Sequence, residues 1–265
     1  FYCWGQVGVV VLSTLFFATA GIGNWRILAC VCAVVPLCNA VYFLFVPLFR
    51  SVEEGQSMSV GKIFKTPVFW LFVVLMLCAG SSENAVNQWA SAFAESGLKV
   101  SKTMGDLLGP CLFAICMGLA RVLFATCGAK MHLKYALMIS AAGCVAGYAL
   151  CAFAPPSAAW LGLVGCGVVG FSVAAMWPGT LSFASAALPK GGTALFALLA
   201  LAGDVGGMSG PSAVGAIADG FGGSLQIGIA FGIVFPIIMF VAAALYREKK
   251  GVHENAAEKK SQSDT

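Results

Sequence analysis

Charge is what this sequence has least of. Only 10% of its 265 residues are Asp, Glu, Lys or Arg, against about 25% in an ordinary soluble domain. With 60% hydrophobic residues and a mean hydropathy of +0.91, a chain of this length cannot hide its apolar surface in one core, so its solvent is lipid. Histidine is nearly absent. His132 lies in a basic loop and His253 in the polar C-terminal stretch. This excludes serine-protease chemistry in the bilayer: GMSG at 207–210 matches G-x-S-G, but such a serine needs a histidine base within the bundle. An aspartyl intramembrane protease needs a second deep Asp beside Asp204, yet Asp106 and Asp219 stand near helix ends. An enzyme is therefore not expected, and no cofactor is implied. C-x-x-C spacing is also missing, which leaves neither a disulfide framework nor a metal site. Nearly all of the 11 cysteines fall in apolar runs and read as small hydrophobes. A net charge of +4 is too modest for a nucleic-acid partner. The first residues lack the basic region and cleavage motif of a signal peptide. The opening FYCWGQ, already inside an apolar run, reads as a truncation point.

What the chain does have is helix-length apolar runs. Crossing the roughly 30 Å hydrocarbon layer takes about 20 helical residues, and residues 27–49 and 220–246 are long enough. Residues 135–189 contain no Asp, Glu, Lys or Arg, room for two crossings. Runs of this kind, rather than ten-residue alternating segments, exclude an outer-membrane barrel. The 32 glycines suit closely packed membrane helices. Charges, glycines and prolines punctuate eight expected spans at 2–23, 27–49, 67–94, 104–126, 133–154, 158–188, 192–217 and 222–246. The third and sixth exceed a straight crossing, so they tilt, break or protrude.

Basic residues orient these spans, because cytoplasmic loops are enriched in Lys and Arg. Arg50, Lys62, Lys65, Arg121, Lys130, Lys134 and Lys190 fall on one side of an eight-span alternation. Arg247, Lys249, Lys250, Lys259 and Lys260 join them there, and only Arg26, Lys99 and Lys102 fall on the other. Both ends are thus expected in the cytoplasm, with the protein in the plasma or inner membrane. The most polar internal stretch, RSVEEGQSMSVGKIFKT, reads as a cytoplasmic linker at 50–66. It separates two helices (1–49) from a six-helix bundle (67–246), and the tail (247–265) has a disordered composition.

Two polar features interrupt the grease. SSENAVNQWASAFAE at 81–95 follows an uncharged run. At 100° per residue, with Glu83 at zero, Asn87, Ser91, Asn84, Glu95 and Gln88 fall within about 140°. Val86, Trp89 and Phe93 lie on the opposite side. Sixteen residues from Pro67 place Glu83 about 24 Å along the helix. Either the stripe lines a cavity or it is the wet end of an emerging span. Asp204 is the only charge between Gly192 and Ala218. A carboxylate at that depth is costly unless paired, solvated or protonated. Either it serves substrate or proton binding, or it pins an interhelical network. Around it Gly203, Gly206, Gly207 and Gly210 form two interlocked GxxxG spacings. Pro211 frees the carbonyl of Gly207, which invites a kink. Trp177 can stack on a sugar ring or simply pack, and Pro178 loosens its helix. Gln6 and Asn39 are further buried-amide candidates. Arg121 is read as orienting a loop or meeting lipid phosphate.

The motifs have a family likeness. FYCWGQVGVV, GNWRI at 23–27, GLARVLFATCGAK at 118–130, GFSVAAMWPGTLSFA at 170–184 and GDVGGMSGP at 203–211 occur in an order that resembles helices five to twelve of the major facilitator superfamily. The last two are similar to motifs of its fucose-permease branch. The resemblance implies an all-α membrane protein, eight helices of an incomplete twelve-helix bundle. It also implies inverted repeats around a central cavity and alternating access. In that branch the proton-carrying acids lie on the first and fourth helices, outside this chain. The expected function is secondary active transport of a small polar solute, a sugar or related metabolite, with Glu83, Asn84, Asn87, Gln88 and Asp204 as the site candidates and H+ as coupling partner. The lipid bilayer and the absent N-terminal helices are the other partners. A channel, which predicts uncoupled flux, and a scaffold, which predicts none, are the alternatives.

Overall fold

The structure, a computed structural model, describes residues 2–46, 58–98, 101–127, 131–158 and 160–246. Among these residues there is no β-strand. Eight helical segments are long and apolar enough to cross a membrane: Cys3–Ala20, Trp25–Phe43, Pro67–Glu95, Lys102–Thr126, Leu133–Phe153, Trp160–Ala187, Gly192–Gly220 and Leu225–Leu245. The expected spans match them to within a few residues, except that the second ends at Phe43. The expected tail lies outside the described residues, as do residues 50–57 of the linker. The linker's described end is not plain coil. It holds a short helix, α3 (Val60–Phe64), whose Ile63 is buried.

The first two spans are α1 (Tyr2–Ala20) and α2 (Trp25–Phe43). Leu28 is the only buried side chain of α2, while α1 packs on the fourth span. The third span is one unbroken helix, α4 (Pro67–Leu98), about 48 Å long at 1.5 Å per residue. The fourth, expected as a single helix, is instead α5 (Lys102–Asp106), a π-turn over Leu107–Cys111 and α6 (Leu112–Cys127). The fifth is α7 (Leu133–Phe153). The sixth breaks between α8 (Trp160–Val173) and α9 (Met176–Ala187). The seventh is α10 (Gly192–Gly220), and the eighth divides into α11 (Leu225–Gly232) and α12 (Val234–Leu245).

Proline explains these interruptions. A proline has no N–H for the carbonyl four residues back. Pro110 sits inside the π-turn. Pro178 lies four residues after Ala174, at the α8–α9 break, and Pro236 four after Gly232, the last residue of α11. Pro36 and Pro211 are exceptions: α2 and α10 run through them as continuous helices.

The core runs along α4, α6, α7 and α8, where Phe72, Phe113, Leu137, Tyr148 and Val169 are fully buried. The Tyr148 hydroxyl donates to the Ser82 carbonyl at 2.9 Å, so this large ring keeps its polar tip satisfied. Hydrogen bonds tie together loops at each end of the bundle. At one end the Met58 N–H donates to the Lys190 carbonyl (2.7 Å). There, too, Lys134 Nζ donates to the carbonyls of Ala244 (3.1 Å) and Tyr246 (2.7 Å). At the other end Gln226 Nε2 donates to Ala154 O (3.1 Å), and Asp106 accepts from Ser91 and pairs with Lys102. Lys62, Lys134 and Lys190 therefore share one end and Lys102 lies at the opposite one.

Candidate functional site

The site rests on the contact between α4 and α10. A methyl group on Gly80 would collide with the carbonyl of Gly203, and one on Gly206 with that of Leu77. Only hydrogen fits at either position, and the two backbones touch. Polar side chains reinforce the seam: Ser81 Oγ donates to the Gly206 carbonyl at 3.0 Å, and Trp89 Nε1 to the Pro211 carbonyl at 3.0 Å. The bulky side of α4, with Val86 fully buried and Phe93 nearly so, thus faces protein.

Beside this seam opens a cavity of about 880 Å³, within the range of small-molecule sites. From α4 it receives Glu83 and Asn84, from α6 Arg121, from α9 Trp177 and Pro178, and from α10 Asp204. Glu83 is buried at 4% exposure, whereas Asp204 is exposed to the cavity. A position midway along an apolar span therefore does not bury Asp204. Asn84 Nδ2 donates back to Gly80 O at 3.2 Å, and its amide lies against Gly207. The Trp177 ring edge lies against Gly203, where an added Cβ would come within 2.5 Å of it.

The polar stripe of α4 does not open onto one space. One turn beyond Glu83, Asn87 and Gln88 line a second cavity of about 570 Å³, with Gln6 of α1 and Pro110 of the π-turn. Farther along, Ser91 is taken up by its bond to Asp106. Asp204 and Glu83 thus share a cavity, and the two later amides do not join them.

Arg121 is the residue that sequence reasoning placed elsewhere. Rather than turning to a loop or to lipid, it lines the 880 Å³ cavity, and its Nε donates to the Ala174 carbonyl at 3.3 Å. A signal for this was present. Met117 and Ala114, both buried, lie four and seven residues back and so on nearly the same helix face.

An apolar eight-span bundle enclosing a cavity with two acids and a guanidinium has the form of a solute pathway. The family model of the Major Facilitator Superfamily matches residues 1–211. The chain belongs to the major facilitator superfamily. As a member of this superfamily it is a multi-pass membrane protein serving transport of small-molecule solutes, built as an all-helical bundle. No curated protein matches the chain.

Proposed function

We propose that this transporter moves a small polar solute, a sugar or related metabolite, by proton-coupled alternating access across a plasma or inner membrane. One observation carries the reading: Glu83 and Asp204 share one cavity with Arg121 and Trp177. Acids at such depth are costly and are kept for ions or substrates. In this reading Glu83 and Asp204 exchange protons or accept solute hydroxyls, Asn84 donates and accepts hydrogen bonds, and Trp177 offers an aromatic face. The amides of Asn87 and Gln88, one turn away, suit hydroxyl groups and carry no charge. These features support the fucose-permease likeness of the α9 and α10 motifs.

Residues 67–246 form the solute-handling bundle, with 1–49 as a separate pair of helices and 50–66 as the connection. The gathering of Lys62, Lys134 and Lys190 at one end supports a cytoplasmic placement of that end and of the C-terminus. The test is uptake of radiolabelled hexoses and deoxyhexoses by full-length protein in proteoliposomes under an imposed proton gradient. Wild-type protein accumulates its solute, and Glu83→Gln and Asp204→Asn each reduce accumulation at least about tenfold, the scale of 1.4 kcal/mol. Unchanged accumulation in both variants would overturn the site.

A further inference from the structure

The joint between α8 and α9 begins as a hydrogen-bond problem. Pro178 cannot donate to the carbonyl of Ala174. The ladder resumes one residue later, where the Gly179 N–H donates to Ala175 O at 2.8 Å. Val173, Ala174 and Ala175 are buried, and a buried carbonyl deprived of its partner is expensive. The partner it finds is on another span: Arg121 Nε of α6, at 3.3 Å. A proline on one helix thus creates the acceptor, and a guanidinium on a second helix occupies it.

We infer that Arg121 is a positioning residue that fastens the α8–α9 joint by taking the carbonyl orphaned by Pro178, and so sets where α9 holds its part of the cavity wall. That wall includes Trp177 and Leu181 as well as Pro178 itself. With Arg121 in place, α6 and α9 are held together and Trp177 stays against Gly203. With the bond released, α9 is free to pivot about Ala174 and Ala175 while α8 stays packed in the core. Arg121 then acts on the solute pathway through the backbone of the opposite helix rather than by touching solute. This holds whatever the solute is, so it stands apart from the sugar and proton reading.

The decisive measurement is a double-mutant cycle on full-length protein in lipid nanodiscs, read by amide hydrogen exchange over residues 172–182. Arg121→Gln speeds exchange there about ten- to a hundredfold, the range that a hydrogen bond to a charged group is worth. Arg121→Lys, which keeps a cationic donor, restores most of the protection. Pro178→Ala returns an N–H to Ala174 O, so adding Arg121→Gln to it changes exchange less than about threefold. An undiminished effect of Arg121→Gln in the Pro178→Ala background would show that the arginine works through cavity charge, and would overturn the inference. So would the absence of any effect in the single variant, which would mean that water replaces the guanidinium. If Arg121→Gln alone does not accumulate as folded protein, the double variant is expected to recover, and its failure to do so also overturns the inference.

Discussion

The two cavities along α4 differ more than their separation of one helical turn suggests. The first has acids, a guanidinium and an indole, set between α4, α6, α9 and α10. The second has three carboxamides and a proline, set between α4, α1 and the π-turn. Ionised groups attract protons and charged or strongly polar atoms, and their hold depends on pH and on shielding from water. Carboxamides donate and accept at any physiological pH. One helix therefore presents a charged station and a neutral one in succession.

The harshest way to break this comparison is to force α4 and α10 apart. Gly206→Val drives a branched side chain into the Leu77 carbonyl. This exceeds ordinary overpacking of about 1–3 kcal/mol, and the expected result is loss of folded protein in size-exclusion profiles. Next in size is an effect confined to the charged cavity. Asp204→Asn is expected to lower gradient-driven accumulation about tenfold or more while leaving exchange of solute across the membrane measurable, and proteoliposomes loaded with solute on both sides distinguish the two. Gln88→Ala is expected to raise KM about fivefold, since a lost hydrogen bond is worth about 1 kcal/mol, without altering the pH dependence of uptake. An altered pH dependence would erase the division between the stations. The smallest effect is Tyr148→Phe, which removes the bond to Ser82 O on the core side of α4. About 1 kcal/mol corresponds to a drop of about 2–4 °C in melting temperature, with uptake kinetics unchanged.

How much of this could be read from the sequence depends on what each residue's position has to specify. Span number and ends followed from charge and proline, because a bilayer sorts residues by polarity along one axis. The spacing of Gly203, Gly206, Gly207 and Gly210 marked α10 as a close-packing helix, though not that α4 answers with Gly80. The stripe from Glu83 to Gln88 was visible as a direction on a wheel. A wheel does not say which neighbours stand opposite, so the change from α9 and α10 at Glu83 to α1 and the π-turn at Asn87 was hidden. Arg121 was misplaced because a charge near the end of a span suggests water or phosphate. The acceptor that draws it inward exists only because Pro178, 57 positions later in the chain, leaves a carbonyl open.

The touching backbones of α4 and α10 have a last consequence for the electrostatics of a transport cycle. Helices separated by long side chains can slide past one another by exchanging rotamers. Helices in contact at glycine have no such slack, and they turn as one body. Glu83 and Asp204, one on each, are thereby tied to one seam of the cavity wall. What water reaching or leaving the cavity changes is the dielectric around the pair, and with it the strength of every charge interaction there.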